Sequence, residues 1–181
     1  MSSVENKNDL QLKYFVLDVD GVFTDGSYHY TTEGKVSKIF GPDDNDALTL
    51  LKKYMDIYVV SGDKRGFPIT KKRISDDMKL PLDLVSTFDR VAWMTERFDL
   101  NKTIYMGDGI FDAAVFNEVA YGIAPANAFF MTKKYADFVT LSVGGNSAVA
   151  EACVHIMEKF FEPFNPLNIG TNEVGVWSKK Q

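Results

Sequence analysis

"YFVLDVDGVFTDG", Tyr14–Gly26, begins as an apolar run and ends in acid and glycine. Asp18 and Asp20 stand one residue apart where the run stops, and Asp25 follows between Thr24 and Gly26. The apolar part reads as a buried strand. Five further runs read the same way, most of them rich in β-branched and aromatic residues: "IYVVSG" (57–62), "LDLVST" (82–87), "KTIYMGD" (102–108), "VAYGIA" (119–124) and "ADFVTL" (136–141). Between them lie helical patterns. "DDNDALTLLKKYM" (43–55) carries Ala47, Leu48, Leu50, Leu51, Tyr54 and Met55 on one broad face, and "NSAVAEACVHIMEKFF" (146–161) repeats apolar residues three and four apart. Strands alternating with helices predict an α/β, Rossmann-like parallel sheet with helices on both faces.

Two segments break the alternation. "SYHYTTEGKVSKIF" (27–40) predicts two short strands around the turn "TTEG", a β-hairpin flap with no room for a large cap. The stretch 162–181 has prolines, glycines and asparagines without periodicity, which predicts an extended tail. The 181 residues, 45% hydrophobic and 25% charged, suit a single domain with a proper core. A net charge of −5 argues against a broad nucleic-acid footprint. The single cysteine, Cys153, cannot close an internal disulfide and fits a reducing compartment. No apolar run reaches membrane-spanning length, and the polar start "MSSVENKNDLQLK" lacks a signal-peptide core, so the expected location is the cytoplasm.

Open parallel sheets bind ligands at the carboxyl ends of their strands. Three strands here end in polar residues that can meet there: Asp18 and Asp20 after the first, Ser61 in "VVSGD", and Asp108 in "YMGDGIFD" with Asp112 four residues on. Carboxylates gathered from separate strands repel one another and lose hydration unless a cation joins them. A hard divalent ion with oxygen ligands is the natural partner, and magnesium keeps waters and a substrate phosphate in such a site.

These residues carry a resemblance. "DVDGVFTDG" is similar to the first motif of the haloacid dehalogenase superfamily of phosphohydrolases, "SGD" after an apolar strand to the second, and "GDGIFD" to the fourth. The nearest type is the minimally capped 3-deoxy-octulosonate 8-phosphate phosphatase, through "DGVxTDG", the hairpin that follows, and the spacing to "ADFVT" and the paired glycines. The resemblance covers residues 14–160. It implies a phosphatase of a small phosphorylated sugar, sugar acid or polyol, in surface-polysaccharide assembly. Asp18 would be the nucleophile that carries an aspartyl-phosphate. Asp20 would protonate the leaving alcohol and then activate water. Asp18, the backbone carbonyl of Asp20, and Asp108 would hold Mg2+, with Asp112 supporting that shell. Ser61 and the backbone near Gly62 and Gly21 would hold phosphate oxygens. The resemblance also implies a homotetramer, with hairpins at the subunit contact and the tail from Pro163 onward near a neighbour's site.

The chain departs from the pattern at several positions. Where the family offers a lysine in its third motif, "STFDRVAWM" offers Arg90, and Lys64 is a rival cation. Asp63 stands where arginine often follows the second motif, and Gly109 replaces a second acid in the fourth. "GGNSAVAEA" lacks the arginines that sugar-acid phosphatases carry after the paired glycines. Plainer roles exist for some of these residues: Ser61 as a strand-end cap, Asp112 as a first-turn helix acid, Arg90 as a surface residue after Asp89. His29 and His155 receive no role, and Tyr28, Tyr30 and Phe40 read as hairpin packing. Other function classes fit less well. A phosphoacceptor receiver domain would lack the DxD acid and the hairpin, and a phosphomutase would need a larger cap. A catalytically weak binding or regulatory module is the alternative that the absent lysine leaves open.

Overall fold

In the computed structural model, which describes residues 11–167, the opening run forms β1 (Tyr14–Asp18) inside a parallel sheet. Along the chain follow β2 (His29–Thr31), β3 (Gly34–Ser37), α1 (Asp43–Leu51), β4 (Asp56–Ser61) and α2 (Phe67–Lys71), which widens into a π-helical stretch at Lys72–Asp77. Next come β5 (Leu82–Leu84), α3 (Arg90–Arg97), β6 (Thr103–Met106), α4 (Asp112–Phe116), β7 (Tyr121–Ala124), β8 (Phe138–Val139) and α5 (Ala148–Phe160). The sheet order is β5-β4-β1-β6-β7-β8, and every pairing is parallel. The chain moves from β1 out to one edge and then returns to β6 on the other side of β1. That reversal opens a crevice at the carboxyl end of β1.

The period of two along each strand divides the core between two faces. Phe15, Leu17, Val59, Ile104, Met106 and Ile123 pack with Leu48 and Leu51 of α1 and with Val149, Cys153 and Ile156 of α5. Val16, Val60, Tyr105 and Ala124 face the other way, onto Met94 of α3 and Val115 and Phe116 of α4. Asp18 shares the parity of Val16, so its side chain leaves β1 on the α3 side.

α5 is preceded by Ser147, whose φ of 70° is left-handed and whose side chain does not cap the helix. The cap comes from α1: Asp44 Oδ1 accepts from the Ala150 amide at 3.0 Å, and Asp43 Oδ2 accepts from the Ser147 hydroxyl at 2.8 Å. The acidic stretch 41–46 is thus a helix start that also serves a second helix.

The two-stranded hairpin forms as the turn chemistry predicts, and an isolated bridge between Thr24 and Phe40 roots it beside β1. Several elements differ from the sequence expectation. β5 and β8 keep only three and two residues of the runs read as strands, with single further backbone hydrogen bonds at their ends, such as Val85 N–H to the Ser61 carbonyl and Thr140 N–H to the Ala124 carbonyl. α1 ends at Leu51, and the amides of Tyr54 and Met55 close a turn on its carbonyl. The short helices α2, α3 and α4 carry too few apolar turns to have been picked out by period. Residues 168–181 of the expected tail lie outside the described residues. Among the described residues no helix is long and apolar enough to cross a membrane.

Candidate active site

The chain leaves β1 in a tight turn: the amides of Val22, Phe23 and Thr24 all reach the Val19 carbonyl, at 3.2, 2.9 and 3.2 Å. Within it the Val19 amide donates to Asp18 Oδ1 at 2.8 Å, and the Gly21 amide to Thr24 Oγ1 at 3.2 Å. Gly21 has φ of +81°, and a Cβ there would collide with the Asp108 carboxylate. Glycine is therefore required both by backbone conformation and by the approach of the β6 loop. Asn127 clamps this arrangement from outside. Its Nδ2 donates to the Gly21 carbonyl at 2.9 Å, and its Oδ1 accepts from the Gly144 amide at 2.6 Å.

Arg90, the first residue of α3, meets Asp18 on the α3 face. It is fully buried, which corrects the reading of Arg90 as a surface residue. Its Nη1 donates to Asp18 Oδ2 at 2.8 Å, to the Tyr105 hydroxyl at 2.7 Å and to Asp112 Oδ1 at 3.2 Å. The Tyr105 hydroxyl donates in turn to Asp112 Oδ1 at 2.9 Å, while Asp112 Oδ2 accepts from the Gly109 amide at 2.8 Å. Nε and Nη2 of Arg90 are buried without a hydrogen-bond partner. A Cβ on Gly62 would stand 3.7 Å from Nη2, so that donor borders the Gly62 loop. A guanidinium with two buried donors unused is poised for an anion that the protein alone does not supply.

Asp18, Asp108 and Asp112 offer carboxylate oxygens that all lie within 4.8 Å of one another. Burial raises the pKa of Asp18 above the ordinary carboxylate range, against the pull of Arg90. Burial, with Asp18, Asp112 and Asp20 nearby, pushes Asp108 up to about 8. One arginine does not balance this charge, and among the described residues no cationic side chain pairs with Asp108. The donor set is all oxygen, partly enclosed and short of positive charge, which fits a hard divalent cation.

Asp18, Asp20 and Asp108 border an open pocket of about 330 Å³, lined also by Gly26, Gly62 and Thr87. Ser61 is buried at the end of β4. Its hydroxyl accepts from the Asp63 amide at 3.2 Å and lies 3.5 Å from Asp20 Oδ2. Lys64 is exposed and stands outside the pocket lining. Asp63 does line it, but two hairpin lysines neutralise its charge: Lys35 Nζ lies 2.7 Å and Lys38 Nζ 2.8 Å from its Oδ2. Burial alone would raise the Asp63 pKa; the two lysines and the Gly66 amide outweigh it and hold the group at about 2. Lys38 also reaches Asp20 Oδ1 at 2.7 Å. Tyr28 lines the pocket beneath Lys35, whose Nζ sits 3.4 Å from the ring centroid, so its place is at the site mouth as well as in hairpin packing.

The sequence reading missed Lys38, Tyr105, Asn127 and Thr87. Of these, only the alternation in β6 carried a signal, since it sets Tyr105 on the Asp18 face.

A family model for haloacid dehalogenase-like hydrolases matches residues 90–153. The 3-deoxy-D-manno-octulosonate 8-phosphate phosphatase of Haemophilus influenzae is 31% identical over 155 residues, spanning 81% of this chain and 83% of that protein. The chain belongs to the haloacid dehalogenase-like hydrolases, in the branch similar to these phosphatases. It is a phosphoric monoester hydrolase. Solved structures agree with the fold. A cobalt-bound form of the H. influenzae phosphatase aligns with a TM-score of 0.74 at 28% identity, covering 84% of this chain and 91% of that one. The phosphatase of Moraxella catarrhalis, in complex with a magnesium ion, a phosphate ion and a KDO molecule, aligns with a TM-score of 0.70 at 25% identity over 82% and 87% of the two chains.

Proposed function

We propose that this phosphatase hydrolyses a small phosphorylated sugar or sugar-like metabolite through an aspartyl-phosphate on Asp18, with Mg2+, in the cytoplasm and in surface-polysaccharide synthesis. The observation that carries the reading is the Arg90 guanidinium: buried, bonded to Asp18, and with two unused donors, of which Nη2 borders the Gly62 loop. The similarity to 3-deoxy-D-manno-octulosonate 8-phosphate phosphatases makes that ester the first substrate to try.

The steps follow from the side chains. A carboxylate oxygen of Asp18 attacks phosphorus while Asp20 gives its proton to the departing alkoxide. Asp20, now ionised, takes a proton from water as that water attacks the aspartyl-phosphate, which releases phosphate and restores Asp18. Arg90, Ser61 and the amides near Gly62 and Gly21 orient the phosphoryl oxygens and offset the charge they gather. Asp18, the Asp20 carbonyl and Asp108, with Asp112 behind them, would hold Mg2+, which supplies further charge neutralisation at the phosphoryl group.

The test is turnover of p-nitrophenyl phosphate. Asp18→Asn is expected to abolish it, and chelation with EDTA to stop the wild-type enzyme until Mg2+ is returned. Near-normal turnover by Asp18→Asn, or full activity after exhaustive chelation, removes the covalent route or the metal from the scheme.

A further inference from the structure

Lys38 follows β3 at the base of the hairpin, and its side chain is completely buried. Three oxygens from three different elements surround its ammonium: Asp20 Oδ1 at 2.7 Å, Asp63 Oδ2 at 2.8 Å, and Thr70 Oγ1, which accepts a hydrogen bond at 2.9 Å. A fully buried lysine is rare and needs its charge matched. Here Lys35 and Lys38 face Asp63 and Asp20, two cations against two carboxylates. The hairpin is therefore pinned to the catalytic turn, to the loop after β4 and to α2 through one atom.

The consequence lies in the orientation of Asp20. Its Oδ1 is buried and ion-paired with Lys38 on the hairpin side, while Oδ2 accepts a long hydrogen bond from Ser61 Oγ at 3.5 Å, and the residue lines the pocket. A free aspartate rotates about its terminal torsion and presents either oxygen. Here Oδ1 is paired and out of solvent, which leaves Oδ2 as the oxygen available to a leaving group.

We propose that Lys38 is a positioning residue for the proton transfer of the phosphatase reaction: by fixing Asp20 Oδ1 it presents Oδ2 to the leaving-group oxygen and makes the hairpin part of the catalytic geometry. The proposal rests on Asp20 acting as the general acid. Lys38 touches neither the phosphoryl group nor the leaving group; it acts through Asp20.

A leaving group that departs as a stable anion needs little help from an acid, whereas a poorer one needs the full proton. The experiment compares kcat/KM for p-nitrophenyl phosphate and for phenyl phosphate, at saturating Mg2+, in wild type and in Lys38→Met, with circular dichroism melting in parallel. This constant reports events up to formation of the aspartyl-phosphate, so the later hydrolysis does not enter. The expected result is a fall of about 10² on phenyl phosphate, the low end of the usual contribution of a positioned acid, and about tenfold or less on p-nitrophenyl phosphate. Thr70→Val leaves both ion pairs in place and removes only one anchor. It is expected to shift the ratio of the two constants in the same direction by a few-fold, and it serves if Lys38→Met does not fold. Lys35→Met, which removes one of the two partners of Asp63 and leaves that of Asp20, is expected to keep the wild-type ratio. Equal losses on both esters in Lys38→Met, or an unchanged ratio in both Lys38→Met and Thr70→Val, overturn the proposal. Wild-type enzyme inactive on both esters would instead strike at the function on which it rests.

Discussion

Arg90 concentrates three roles in one side chain. It pairs with Asp18, the proposed nucleophile, joins Asp112 and Tyr105 into one network, and keeps two buried donors without a partner. Lysine, a point charge on a flexible stem, could hold Asp18, but it has no fork with which to reach a phosphate at the same time. Arg90→Ala is expected to lower kcat on p-nitrophenyl phosphate by about 10²–10³, the scale for losing one preorganised charge-stabilising donor. It should also lower the melting temperature, since Asp18 and Asp112 lose their buried counter-charge. Lys64→Ala, at an exposed position, should change kcat only slightly. The reverse ranking in steady-state kinetics would move the role to Lys64. At this scale the sequence was legible where chemistry is local. Asp18, Ser61 and Asp108 stand at or just past strand ends because apolar runs stop there. The burial of Arg90 was not legible, because a charge in the first turn of a helix looks solvated until the sheet brings Asp18 and Tyr105 onto it. The pairing of Lys38 with Asp20 was hidden for the same reason, since only the folded hairpin brings them together.

Among the elements, the pair α1 and α5 shows how one helix can complete another. Asp44 is buried, caps α5 through the Ala150 amide and leaves Oδ2 without a partner. Burial pushes its pKa up to about 6, against the lowering effect of the Ala150 and Val149 amides. The native state therefore holds this proton at pH values where the unfolded chain has lost it. The contribution of Asp44 to stability is greatest below about pH 4, falls as pH rises through the window from about 4 to 6, and stays low above it. Asp44→Asn keeps an oxygen for the cap and removes the charge. Its melting temperature relative to wild type should rise across that window and level off above it, because other titrating groups cancel in the difference. Asp44→Ala loses the cap, at a cost of about 1 kcal/mol, and should be the weaker variant at low pH. A wild-type-minus-Asn difference that is flat from pH 4 to 8 would remove Asp44 from the pH dependence of stability. The sequence announced both helices through their apolar period. It did not announce that Asp43 and Asp44 of α1 would cap α5, since a cap supplied by another helix depends on how the two pack and not on the pattern of either.

For the whole molecule, the crevice beside β1 is open, and the hairpin segment borders it through Tyr28. Sites for phosphoryl transfer work best when partly closed to water. The hairpin leaves much apolar surface in solvent: Tyr28 is 41% exposed, Tyr30 55%, Val36 51% and Ile39 51%. An isolated two-stranded ribbon does not hide such a set, and a patch of this kind marks a contact. Its base, however, is rigidly placed by the Thr24–Phe40 bridge and by the lysines that meet Asp63 and Asp20. A rigid base with an apolar outer face suits assembly around an axis, in which each hairpin packs on others and a neighbouring subunit closes the mouth of the pocket. The expected state is a homotetramer, measurable by multi-angle light scattering at micromolar protein. The double variant Tyr30→Ser, Val36→Ser changes the outer face and leaves Lys35 and Lys38 in place. It should dissociate toward smaller species and lose activity on a sugar phosphate more than on p-nitrophenyl phosphate, because a small aryl ester asks less of a neighbour's cover. A wild-type monomer with full activity on both substrates would show that the hairpin closes the site alone and that its apolar face serves another purpose.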